Sequence, residues 1–146
     1  MPETRIDVDA EALVVAYLSQ VAEVVDLVGA NGVATDLPRD WGPAPDSEPA
    51  RLRVTRIGGA ASDPAGHLVP ARLQIDAFAG DDGAAYLLAA TALRALRDLP
   101  SSGWRFPGAV VNAVRQDLGA TRRDDPSSSV SSYLFGVILT VHAAPV

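Results

Sequence analysis

Between Arg51 and Ala79 the chain carries two segments in which apolar and polar residues alternate, and directly after them the period changes. In the second segment Val69, Ala71, Leu73, Ile75 and Ala77 alternate with Arg72, Gln74 and Asp76. A strand points successive side chains to opposite faces, so this pattern reads as a strand with one face buried. Arg51 to Ile57 does the same, with Leu52 and Val54 on one side and Arg51, Arg53 and Thr55 on the other. The pair reads as an antiparallel hairpin. Its connector, Gly58 to Leu68, is too long for a two-residue turn and projects as a loop. Then Asp81 and Asp82 precede GAAYLLAATALRALRDL, where apolar residues recur at helical spacing. This predicts a helix from Asp82 to Leu99, capped by Asp81 or Asp82 and stopped by Pro100. Its inward stripe is Ala85, Leu88, Ala89, Ala92, Leu93, Leu96 and Leu99, with Arg94 and Arg97 outside it. The small alanines let such a helix lie close to a sheet.

The remaining elements follow in order. Asp7 or Asp9 caps a first helix, with Glu11 placed favourably in its first turn. Leu13, Tyr17, Val21, Val24 or Val25, and Val28 recur at helical spacing over about Asp9 to Leu27. A break near Ser19 is compatible with the pattern, and Gly29 with Asn31 and Gly32 ends it. Valine is a mediocre helix former, so this helix depends on tertiary packing. Val33 to Leu37 is a short strand or an extended connection. Pro38 to Pro49, PRDWGPAPDSEP, holds prolines at 38, 43, 45 and 49, a density that no regular element tolerates. Trp41 within it either folds back over the core or anchors a partner. Ser101 to Pro107 is a turn whose Trp104 and Phe106 cover an edge of the core. Gly108 to Leu118 suits a helix through Val110, Val114 and Leu118, or a strand through Val110, Asn112 and Val114. A strand is preferred because it thickens an otherwise thin sheet. Thr121 to Ser132 is polar and serine-rich, and reads as a loop. Tyr133 to His142 is apolar on both faces and reads as a central strand. The expectation is one α+β domain over residues 1–146: a mixed, mainly antiparallel sheet with two main helices packed on one face.

Composition narrows the chemistry. A 146-residue chain buries roughly 68 to 70% of its unfolded surface, enough for a core without staples. There is no cysteine, and His67 and His142 are the sole histidines, so neither disulfides nor a Cys/His zinc site is expected, and no cofactor. No apolar run approaches the roughly 20 residues of a membrane span, and MPETRIDVD lacks the basic-then-apolar pattern of a signal peptide. Synthesis in a cytoplasm is the expectation. Neither histidine is paired in sequence with a nucleophile pattern, and the serines lie in turn-like contexts without a nucleophile elbow. Capping accounts for Asp81 and Asp82, and a turn before Pro126 accounts for Asp124 and Asp125. Gly58-Gly59 lacks the lysine and helix of a P-loop. Arg122 and Arg123 lie beside Asp124 and Asp125 and neutralise them. These readings point away from an enzyme.

Charge is distributed unevenly. Residues 1–50 hold Arg5 and Arg39 against ten acids, a net of -8, whereas residues 51–146 hold ten arginines against eight acids, a net of +2. The overall charge of -6 argues against nucleic-acid binding, which rests on neutralising phosphates. Solvated surface charge that keeps the protein soluble is the plainer account. The sharper one is that an acidic region of one copy faces a basic region of the next in a head-to-tail ring.

The segments LVGANGVATDLP, RLRVTRIGG, ARLQIDAFAGDDGAAYLLAATALRAL and SSYLFGVILTVHA occur in this order across nearly the whole chain. Together they resemble the tail terminator (tail-completion) proteins of long-tailed bacteriophages, in the version found in phages of actinobacteria. RIGG followed by LQIDAFA and an alanine-rich helix weighs most, while Trp104 and the length of the proline-rich loop lie outside the resemblance. It implies a small α/β virion protein that closes as a hexameric ring on the tail tube. Such a ring ends tube polymerisation at the head-proximal end of the tail and offers a surface to the head connector. It implies no catalytic residue, no cofactor and no membrane, and as partners the chain itself, the tube protein and the connector protein. The residues expected at subunit or partner interfaces are Arg51, Arg53, Arg56, Trp41, His67, Arg122 and Arg123. A head-to-tail connector or stopper protein of the same particle is the alternative reading, and a small ligand-binding domain or enzyme is the third.

Overall fold

The computed structural model describes residues 9–29, 31–36, 50–58, 68–123 and 131–143. The proline-rich segment with Trp41, the hairpin connector with His67, and residues 124–130 lie outside the described residues.

The first helical stretch folds as two helices, α1 (Ala10–Leu18) and α2 (Ala22–Val28), broken at Ser19 as the sequence allows. Asp9 is the N-cap: its side chain accepts from the Ala12 N–H at 3.0 Å, satisfying one of the first-turn donors. Gly29 ends α2 in the left-handed region at φ 79°, where a glycine carries no Cβ penalty. Three residues on, Gly32 is held so close to α2 that a Cβ would overlap the carbonyl oxygen and Cβ of Val28. The Gly32 carbonyl accepts from Leu52 N–H at 2.8 Å, which fastens the end of α2 to the sheet.

Strand β1 (Val33–Ala34) runs parallel to β2 (Arg51–Gly58), and β2 pairs antiparallel with β3 (Leu68–Ala79) as the alternation predicts. Then comes α3 (Asp82–Asp98), capped by Asp81, whose carboxylate accepts from Ala84 N–H at 2.8 Å. A 3-10 turn over Leu99–Ser101 follows it. Two long strands, β4 (Ala109–Arg123) and β5 (Ser131–Ala143), complete a five-stranded sheet in the order β1-β2-β3-β5-β4. The fold class is the one expected: α+β, with a mixed, mostly antiparallel sheet.

β5 lies between β3 and β4, so its two-sided apolar pattern is that of an interior strand. One face of the sheet carries Leu52 and Val54, then Ala71, Leu73, Ile75 and Ala77, then Phe135, Val137, Leu139 and Val141, all buried. They form one cluster with Leu13, Val14, Tyr17 and Leu18 of α1, Val24 and Val28 of α2, and the inward stripe of α3. Trp104 and Phe106 close an edge of this core as expected, with Trp104 edge-on to Tyr17 at a centroid distance of 5.3 Å.

Two expectations need correction. The polar stretch from Thr121 to Ser132 is not a loop throughout: Thr121, Arg122 and Arg123 belong to β4 and pair with Leu134, Tyr133 and Ser132 of β5. Polar composition misleads there because β4 is the edge strand and, from Asp117 to Arg123, its residues are exposed. Second, Val110 and Val114 do not share a face. The register shifts between Val111 and Ala113, so Val110 pairs with His142 on one face and Val114 with Leu139 on the other. An extra residue in one strand reverses the alternation beyond it. Two further shifts, at Gln116/Leu118 and Leu118/Thr121, interrupt the long edge strand again. Bulges of this kind blunt an edge against indiscriminate strand pairing.

Candidate functional site

Because paired residues of neighbouring strands share a face, the register also fixes what stands opposite the helices. Arg51, Arg53, Arg72, Arg115 and Arg123 occupy that face, against Asp76 and, through its bond to Arg72, Asp117. Among the described residues no helix packs on it. The helical layer has the opposite balance. Asp9, Glu11, Glu23 and Asp26 on or beside α1 and α2 face no basic residue of those helices, and on α3 Asp81, Asp82 and Asp98 outnumber Arg94 and Arg97. The unevenness seen along the sequence therefore becomes a difference between two sides of the molecule.

At the middle of the basic face, Asp76 is 0% exposed. Its carboxylate accepts from Arg53 Nε and Nη2 at 3.4 and 3.3 Å, from Gln74 Nε2 at 3.3 Å, and from Arg123 Nη1 at 3.5 Å. The Arg53 guanidinium also lies over the Phe78 ring, 5.3 Å from its centroid. A buried carboxylate persists only when paired and hydrogen-bonded, which is what this cluster supplies. Two cations share one anion, so the group keeps a net positive charge on two part-exposed arginine side chains.

Beside it lies a depression of about 240 Å³ lined by Ile57, Arg72, Gln74, Asp117, Leu118 and Gly136. Ile57 and Leu118, each about half exposed, form its apolar rims. Across it Arg72 Nε donates to Asp117 Oδ2 at 2.6 Å, joining β3 to β4 over the intervening strand β5. Gly136 of β5 permits this bridge: a Cβ there would overlap Asp117 Oδ1 and come within 3.2 Å of Leu118 Cβ. Gly136→Ala is therefore expected to break the Arg72–Asp117 pair and cost about 1 kcal/mol, the upper end for an exposed ion pair. A urea titration of this variant beside Asp117→Ala checks it, since the two losses should not add.

The sequence-predicted interface residues divide between the two sides. Arg53 and Arg123 meet at Asp76. Arg51 Nη1 donates to the Asn31 carbonyl at 3.1 Å, while its Nε is buried without a hydrogen-bond acceptor among the described residues. Arg56 is exposed beside the helices, its backbone N–H donating to Glu11 Oε1 at 2.7 Å. Arg122, next to Arg123 in sequence, points to the helical side and pairs with Asp82 at 3.1 Å. The two arginines thus have partners on α3 and β3, beyond the neighbouring Asp124 and Asp125 that their sequence position suggests. Trp41 and His67 lie outside the described residues. His142 is half-buried at the end of β5. Among the described residues no three His, Cys, Asp or Glu side chains gather as metal ligands. Sequence reasoning missed Asp76, Asp117 and Gly136. The signal was available in the register alone, once β4 is extended through Arg123.

On the helical side a second depression of about 380 Å³ is lined by Tyr17, Val21, Glu23, Arg94 and Asp98 among others. The Tyr17 hydroxyl donates to the Ala95 carbonyl at 2.8 Å in a buried hydrogen bond. Burial pushes the Tyr17 phenol above its ordinary value of 10.0, and the negative charge of Asp98 adds to this, while a hydrogen bond with Ser102 works against it. A raised folded-state value means that the native protein holds this proton more tightly than the unfolded chain does. The corresponding stability is fully present below about pH 10 and is lost as pH rises through the folded value. Tyr17→Phe is expected to cost about 1 kcal/mol near neutrality through the lost hydrogen bond. Above pH 10 its stability should fall less than that of the parent, which thermal melts at pH 7 and at alkaline pH will read.

Among solved structures, the chain is similar to a chain in the virion of a native gene transfer agent (GTA) particle. The TM-score is 0.68 at 19% sequence identity, with 91% of this chain and 94% of that chain covered. The two share a fold. No protein-family model matches the chain, and no curated protein matches it.

Proposed function

We propose that this chain is a structural protein of a phage-like virion, and that it closes as a hexameric ring on the head-proximal end of the tail tube. There it ends tube polymerisation and presents a joining surface to the head connector. The observation that carries the reading is the fold shared over nearly the full length of both chains with a component of the gene transfer agent virion. The resemblance of RIGG, LQIDAFA and the alanine-rich helix to tail terminators supports the head-proximal position. Two sides of opposite charge support a ring, because a ring of identical subunits needs one patch to meet a different patch on the next copy. Arg51, Arg53 and Arg123 on the basic face, Arg56 and Arg122 on the helical side, and Trp41 and His67 are the residues we assign to subunit and partner contacts. Binding through such surfaces involves no bond-making by this chain.

Particles assembled without the protein test the position. A terminator's loss leaves tails longer than the parental length, measured by electron microscopy. Tails of normal length on heads that leak their contents would instead assign the chain to a stopper at the head connector.

A further inference from the structure

Four large apolar side chains stand about half exposed among the described residues, and they fall into two pairs on opposite sides of the molecule. Ile57 and Leu118 flank the depression on the basic sheet face, whose floor at Gly136 has no side chain. Tyr86 and Leu87 stand adjacent on the outer side of α3, one turn from Asp81 and Asp82 in the acidic helical layer. Tyr86 is steadied by an edge-on contact with Tyr133, centroids 5.5 Å apart. One pair borders a recess and the other stands proud of a helix.

We infer that these pairs are the two halves of one self-interface: Tyr86 and Leu87 of one copy seat between Ile57 and Leu118 of the next. This proposal rests on the self-assembly reading above and names the contact that would hold it. Charge complementarity selects a second copy as the occupant. The recess lies in a field of arginines, including Arg115, which has no side-chain partner among the described residues, and the knob lies in a layer dominated by carboxylates. Matching apolar centres with rims of opposite charge is the usual anatomy of a specific interface. Because the two patches differ and lie on opposite sides, the contact is head-to-tail and leaves each copy with a free patch for another neighbour. Two copies meeting two-fold symmetrically would bring like-charged sides together and leave both knobs unused.

The absence of native cysteine makes a direct test clean. Leu87→Cys and Leu118→Cys full-length proteins are oxidised separately and as a mixture, and covalent products are read by mass. The expected result is a heterodimer in the mixture, at least tenfold above any dimer from either variant alone, and a ladder of higher oligomers when both cysteines are on one chain. Charged variants report the same contact without oxidation: Leu87→Asp and Ile57→Asp should each abolish parental oligomers, and mixing the two should restore a 1:1 dimer and nothing larger. Homodimers of Leu87→Cys alone, or parental assembly by both aspartate variants, would overturn the proposal. Rings that form without any 87–118 link would overturn it while leaving the terminator reading intact. An 87–118 link in the purified protein, together with tails of normal length on particles assembled without it, would do the reverse. Linking of Leu118→Cys to a different virion protein in assembled particles, with no self-link, would replace the second copy as occupant.

Discussion

Replacing Arg53 and Arg123 together by methionine is expected to destabilise the protein by about 3 kcal/mol, at the low end for stripping the partners from a buried charge. The size follows from an asymmetry. Asp76 is 0% exposed, whereas the arginine side chains are 31% and 49% exposed. Without the guanidiniums the carboxylate keeps a Gln74 amide donor at 3.3 Å, which is why the low end applies. Removing the anion instead is milder, because half-exposed arginines recover water: Asp76→Leu should cost about 1 kcal/mol. The triple variant with methionine at 53 and 123 and leucine at 76 should regain most of the loss, since an apolar cluster of similar volume replaces a buried ionic one with little penalty. Urea unfolding of the four proteins closes the cycle, and the coupling between the paired arginines and Asp76 is its product. Equal losses for the double and triple variants would mean that Asp76 is not the group these arginines neutralise.

Phe135→Ala is the other change with a large expected effect, about 3 to 5 kcal/mol. Phe135 is among the largest side chains with no exposure, and it sits on β5, with β3 on one side and β4 on the other. It pairs with Ile75, so the cavity opens where the hairpin, β5 and the helical layer meet. The surrounding strands are held by ladders on both sides and cannot collapse into the space, which places the cost in the upper part of the range. Tyr133→Ala, two residues earlier on the same face but only half-buried, should cost less than half as much. Denaturant midpoints with unchanged slopes would show that both variants lose stability without a change in the unfolding reaction.

The hairpin, α3 and the interior position of β5 were legible because each keeps one period over most of its length, the hairpin's register shifting only between Arg56 and Gly58. From Ala71 to Ala77 every second residue enters the core, and from Ala85 to Leu99 the apolar stripe never breaks. β4 was legible as a strand only as far as Leu118, for the opposite reason. Its bulges change the face three times between Val111 and Thr121, and beyond Leu118 its side chains meet solvent, Asp82 and Asp76, so neither alternation nor hydrophobicity marks that end as a strand. Asp76 reads in sequence as an ordinary solvent-face residue. Its burial depends on Arg123, separated by 47 residues, and on the strand register that brings the two together. Arg122 and Arg123 look like one charged pair, yet the alternation of an extended strand sends them to opposite sides of the sheet. The lopsided charge was visible as a count, but only the sheet register turns it into two faces.

The mass of the full-length protein, measured by native mass spectrometry alone and after mixing with isolated tail tubes, tests the central claim most directly. The account predicts a closed assembly of six copies, free in solution or on tube ends, that blocks further addition of tube subunits. A protein that stays monomeric under both conditions, on tubes that continue to grow, would contradict it.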